Sequence, residues 1–259
     1  MGAISSARSR PLSQPQFKKL AMKRILPFLI ILVVLGVAIG SGWYLTRVTP
    51  GSPAANPAPT AQSTATANQQ QRPAPIKGIP GAEPAQTLGP ANAPVQLEEF
   101  GDYQCPPCGM FHPILVQMHQ EFGDKVRITF RNFPLVQAHV HAAEAAAAAE
   151  AAGLQGKFWP MHDLIYEHQN DWKDKADVAP IFEGYAQQIG LDVARWKKDS
   201  GSEQVAQRIY LDSKRGQSMG VKGTPTVFIN GREVPFEQLP AEKLRLVIQY
   251  ELNAAAGSR

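Results

Sequence analysis

Cysteine is almost missing from this chain: there are two in 259 residues, and both sit in Cys105-Pro106-Pro107-Cys108. A structural disulfide stabilises by closing a long loop of the unfolded chain, and a ring this small removes little freedom. The pair is therefore a poor staple. Thiols at this spacing suit reversible oxidation or the holding of a soft metal ion. Acidic residues are missing from the first 24 positions, which carry Arg8, Arg10, Lys18, Lys19, Lys23 and Arg24. Those cations exceed the whole net charge of +4, so residues 87–259 are mildly acidic. Nucleic-acid binding needs a basic face on the folded domain, and no nucleic-acid partner is expected.

Charge is missing again from Ile25 to Leu45. This run of roughly 20 apolar residues is long enough, as a helix, to cross a bilayer. Trp43 and Tyr44 close it where an aromatic belt lies. Cations on the N-terminal side hold that end in the cytoplasm. The expectation is a basic cytoplasmic tail over 1–24, a single-pass transmembrane signal-anchor over 25–45, and an extracytoplasmic remainder. A cleaved secretory signal, with its shorter core and small-residue cleavage site, exports the chain equally. On both readings the domain lies outside the membrane, a compartment that permits disulfides.

Residues 46–85 are dominated by Pro, Ala, Gln, Thr and Ser. Such a stretch has too little apolar surface to order itself and reads as a linker spanning on the order of 35 Å. Residues 86–259 are of a size for one domain. Val95–Phe100 and Val126–Phe130 read as strands, with a helix over Pro106–Phe122 between them marked by Phe111, Leu115, Met118 and Phe122. Strand alternation is then lacking for a long way. Ala142–Ala152, Lys157–Gln169, Val178–Ile189, Val193–Lys198 and Glu203–Met219 all read as helices. Strands return at Thr226–Ile229 and Arg232–Pro235 around Asn230-Gly231, a strong hairpin signal, and Pro240–Ala255 closes the chain as an amphipathic helix. The fold class is α/β, interrupted by a helical insertion over about 138–219.

Five stretches lie along this order: Leu88-Gly89 with Ala93-Pro94-Val95; Glu99-Phe100-Gly101-Asp102-Tyr103-Gln104 leading into the cysteine pair; Phe130-Arg131-Asn132-Phe133-Pro134-Leu135; Gly156-Lys157-Phe158-Trp159 with Met161-His162-Asp163; and Val221-Lys222-Gly223-Thr224-Pro225-Thr226 running on to Gly231. Together they resemble the DsbA-like branch of the thioredoxin superfamily, and within it the membrane-anchored extracytoplasmic (periplasmic) members. The resemblance covers essentially the whole of 86–259 and implies a thioredoxin fold with a helical insertion and a thiol:disulfide oxidoreductase activity. It implies no cofactor other than the redox-active Cys105–Cys108 disulfide. The partners it implies are unfolded or folding exported proteins and a membrane redox protein for reoxidation, with a monomeric catalytic domain.

Cys105 falls at a helix start, where free N–H groups and the positive dipole end favour a thiolate. It is the expected nucleophile, and Cys108, one turn in, the resolving thiol. Pro106 and Pro107 suit a first helical turn but remove two N–H donors from the redox loop. The family relative resembling this loop carries a histidine there, and that cation is absent. By resemblance Pro225 is the cis-proline facing the cysteines, and the backbone of Thr224 binds extended substrate. Glu99 shares a strand face with Val95 and Leu97, so burial should raise its pKa and fit it for proton exchange with Cys108; the alternative is a solvated strand end.

No metal ligand set is assigned. His112 reads as a helix-surface residue and His162 as a core histidine, His139 and His141 flank a helix start, and Trp159 and Trp172 pack the insertion. Disulfide donation to exported proteins is the leading function. A reductase or isomerase of the same fold is the second, although isomerases of this kind carry a separate dimerisation domain that is not expected here. A soft-metal assembly protein using Cys105, Cys108 and His112 is the third.

Overall fold

The computed structural model describes residues 74–257. The expected tail, membrane anchor and first part of the linker lie outside the described residues. Among the described residues no helix is long and apolar enough to cross a membrane.

The elements in chain order are β1 (Gln86–Leu88), β2 (Val95–Gly101), α1 (Pro106–Phe122), β3 (Val126–Asn132), α2 (Ala142–Gly153), α3 (Phe158–Glu167), α4 (Gln169–Trp172), α5 (Ala179–Gln188), α6 (Val193–Ser200), α7 (Glu203–Ser218), β4 (Thr226–Ile229), β5 (Arg232–Val234) and α8 (Ala241–Gly257). They form one mixed sheet in the order β1-β3-β2-β4-β5. β2 and β3 are parallel, as a strand–helix–strand crossover requires, and the remaining pairs are antiparallel. β1 was not read from the sequence, because three residues are too few to show alternation. The hairpin at Asn230-Gly231 takes positive φ at both turn positions, 49° and 76°, as a two-residue turn between twisted strands demands.

Alternation along the strands sorts side chains to two faces. Val95, Leu97, Val126, Ile128, Val227 and Ile229 meet Phe111, Leu115 and Met118 of α1 and Leu244 and Ile248 of α8. On the other face Phe100 packs edge-on against Phe133 and Phe228. The insertion has its own apolar centre, in which the small alanines of α2 let neighbouring helices approach closely, and Phe158, Met161, Ile165, Trp172, Phe182 and Trp196 fill the remainder. Trp172 is fully buried and Trp159 donates to Thr87 O at 2.9 Å, so both tryptophans serve packing.

Residues 76–85, placed by composition in the linker, are laid along the domain, and this boundary is corrected. Ile76 N donates to Gly231 O (2.6 Å), Ala82 N to Asp212 Oδ1 (2.9 Å), and Arg215 Nη1 to Ile79 O (2.8 Å). A side chain on Gly81 would come within 2.7 Å of Arg131 Nη1. Backbone hydrogen bonds hold this segment, and composition does not report those.

Candidate active site

Cys105 is the N-cap of α1, in extended conformation, and Pro106 and Pro107 occupy the first turn. The first backbone donor after the cysteine is thus Cys108 N, which bonds Cys105 O at 3.1 Å. Cys105 is 5% exposed and Cys108 fully buried, and both are free thiols. Opposite them the Thr224–Pro225 peptide is cis, and the Cys105 thiol donates to Thr224 O at 3.3 Å.

The electrostatics differ sharply between the two thiols. The Cys105 pKa falls to about 6, chiefly through the hydrogen bond from the Cys108 side chain, with further help from the Thr224 side chain and the Cys108 backbone; burial and the Asp102 charge oppose it. Cys108 is pushed well above the ordinary thiol value, first by burial, then by its bond to Cys105 and the Glu99 charge. The donors that Pro106 and Pro107 withhold are thus replaced by Cys108 itself.

Glu99 and Glu98 part company at the strand. Glu98 pairs with Arg131 (2.9 Å) and Arg215 (2.7 Å) on the face toward α7. Glu99 is 1% exposed, one of its carboxyl oxygens has no hydrogen-bond partner among the described residues, and burial followed by the Cys105 charge raises its pKa to about 8. The carboxyl therefore carries a proton at neutral pH. Because it holds that proton more tightly folded than unfolded, its stabilising contribution is full below about 4.5 and is lost as pH rises through about 8. Cys105 has the opposite sign, its contribution being present above about 9 and lost as pH falls through about 6. In reduced protein, Glu99→Gln is expected to remove Glu99's share of the pH dependence, so that between about pH 5 and pH 8 stability falls less, or rises more, with pH in the variant than in wild type. Denaturant unfolding across that range checks this, and an unchanged profile would sink the assignment.

Three residues that the sequence reading passed over hold the redox loop. Asp102, buried, accepts from Gln104 N, Leu135 N and His139 Nδ1, each at 2.8 Å. Gln104 accepts from His141 N (2.6 Å) and donates to Lys173 O (2.6 Å). Gln169 donates to Tyr103 O (2.7 Å) and Cys105 O (2.9 Å). The local signal was Asp102-Tyr103-Gln104 before the cysteine, an Asx-turn pattern; the partners come from the insertion. His139 and His141 both precede α2, His141 as its N-cap without a side-chain cap hydrogen bond, and instead of capping or facing solvent both take part in this clamp. His112 is corrected: it is buried under α3, its ring stacked on Tyr166.

Beside the cysteines an open apolar cavity of about 390 Å³ is lined by Pro107, Met110, Phe111, Ile114, Pro225 and Phe236. Met110 and Phe236 are exposed at 67% and 63%.

A thiolate-prone cysteine at a helix N-terminus, a buried partner thiol and a facing cis-proline on this sheet define a thioredoxin-type dithiol centre. The chain belongs to the thioredoxin family, whose model matches residues 82–249, and within it to the DsbA-like thiol:disulfide oxidoreductases. It is 33% identical to the probable disulfide bond formation protein D of Bacillus anthracis over 153 residues, 56% of this chain and 70% of that protein. The structure of oxidised BdbD from Bacillus subtilis matches at 26% identity with a TM-score of 0.61, over 69% of this chain and 98% of that one. The Na(+)/H(+) antiporter NhaA 1 of Salinispora arenicola is 41% identical over 144 residues, which is 56% of this chain and only 21% of that protein.

Proposed function

We propose that this chain is an extracytoplasmic thiol:disulfide oxidoreductase that donates the Cys105–Cys108 disulfide to exported proteins. The observation that carries the reading is the split between a Cys105 thiol lowered to about 6 and a buried Cys108 raised above the ordinary range. A substrate thiolate attacks Cys105 Sγ, a mixed disulfide forms, and Cys108 leaves and takes a proton from Glu99. A second substrate thiolate then attacks the substrate sulfur of that mixed disulfide, and Cys105 leaves as a thiolate. The substrate loses two electrons and becomes a disulfide, and the enzyme becomes the dithiol. A low leaving-group pKa speeds the second step and makes the oxidised pair easy to reduce.

Substrate binding falls to the Thr224 backbone and to the apolar cavity beside Pro225, which suits unfolded chains rather than folded surfaces. Reoxidation requires a membrane electron acceptor, consistent with an anchor over 25–45 and a tether. The NhaA-named relative is matched over only 21% of its length, and its antiporter activity is not proposed for this chain.

The test is the reduction potential of the Cys105/Cys108 couple, with Cys108→Ser as a trap. A potential well above about −270 mV, thioredoxin's value, is expected, together with mixed disulfides accumulating on Cys105. A potential at or below thioredoxin's would reverse the direction and favour the reductase reading.

A further inference from the structure

On the flank of α1 away from Thr224, a second cavity of about 210 Å³ is bordered by His112, His119, Trp159, His162 and Asp163. His112 lies one helical turn beyond Cys108 on α1, while His162 and Asp163 are neighbours on α3. One ligand atom from each of His112, His162 and Asp163 lies within 4.8 Å of the others. Among the described residues His112 Nε2 is buried without a hydrogen-bond partner and stands 3.7 Å from Asp163 Oδ1. A buried imidazole nitrogen left unpaired is costly, and here it is aimed at a carboxylate. His162 is already oriented, its Nδ1 lying 2.9 Å from the Tyr103 hydroxyl. Metal-ligating histidines are ordinarily fixed in this way through the ring nitrogen that does not touch the ion.

We propose that His112, His162 and Asp163 form a Zn²⁺ site that ties the active-site helix to the helical insertion. Two imidazoles and one carboxylate match the borderline preference of zinc, and three protein ligands leave a fourth position for water from the cavity. Ligand bonds of about 2.0–2.2 Å place ligand atoms about 3.3 Å apart. Binding therefore draws atoms that now lie within 4.8 Å of one another closer together, and Asp163, whose side chain is 44% exposed, can take up part of that movement. Neither cysteine belongs to the set, so this site is distinct from a thiol-based one built on Cys105 and Cys108.

The experiment uses the tag-free full chain with the Cys105–Cys108 disulfide closed, so that thiols cannot ligate. Zn²⁺ alone is titrated in competition with a colorimetric chelator, and Co²⁺ is used as a spectroscopic substitute. The expected result is one equivalent of zinc bound and visible Co²⁺ absorption of four-coordinate intensity. Zinc should also raise the unfolding midpoint, since an ion that binds only the native state stabilises it. Asp163→Asn and His112→Gln should each weaken binding at least about tenfold. Asp163→Asn, at a half-exposed position, should keep its zinc-free unfolding midpoint yet lose the zinc-induced rise, which a purely structural aspartate would not do. Absence of stoichiometric binding by the oxidised chain, or equal affinity in wild type and both variants, overturns the proposal.

Discussion

Cys105→Ser is expected to reduce thiol–disulfide exchange to the uncatalysed rate while leaving the fold intact, measured by oxidation of a dithiol peptide and by circular dichroism. In the proposed cycle the sulfur is both the atom attacked by substrate and the leaving group of the second step, and a hydroxyl does neither near neutral pH. The fold should survive because the cysteine's structural role is carried by its backbone. Its carbonyl accepts from Cys108 N, Gly109 N and Gln169 Nε2, and its N–H donates to Asp102 O at 3.1 Å. Cys108→Ser is a different experiment, since it leaves Cys105 able to form the mixed disulfide and removes only its resolution. Residual turnover by Cys105→Ser comparable to wild type would mean that the chemistry lies elsewhere.

Phe130→Ala is expected to cost about 3–5 kcal/mol and to lower the unfolding midpoint by roughly 6–20 °C, read by thermal or denaturant unfolding. Phe130 is 1% exposed on β3, an interior strand between β1 and β2. Its ring stands 5.3 Å from Tyr103, 6.0 Å from Phe158 and 4.6 Å from His162. It is therefore the point at which the sheet, the redox loop and the insertion share one packing unit. Removing it leaves a cavity that two elements cannot both move to fill. A loss below about 1 kcal/mol would show that the insertion packs on the sheet by other means.

Much of the architecture was legible because it is local. The apolar stripe of α1, the alternation of Val95 and Leu97, and the Asn230-Gly231 turn each depend on a few neighbouring residues. The cysteine pair was legible for the same reason, its spacing being a statement about one helical turn. Glu99 was assigned to the buried face by alternation alone, and it lies there at 1% exposure. Apart from the three-residue β1, the misses are long-range. His112 is adjacent to the apolar stripe of its helix, so periodicity placed it at the surface; α3, some 50 residues later, covers it. Residues 76–85 carry a linker composition, yet their backbone groups find partners on α7 and β5's turn.

The sequence by itself determined which residues could do redox chemistry and where they stand along the chain, because side-chain period and helix-start position are local properties. Only the tertiary structure decided how that chemistry is tuned. It set the buried Cys108 and the Thr224 backbone against Cys105, left one Glu99 carboxyl oxygen without a partner among the described residues, and brought Asp102, Gln104 and Gln169 to the loop that carries the thiols. Burial and electrostatic shifts depend on which distant elements cover a group, and no local pattern encodes that choice.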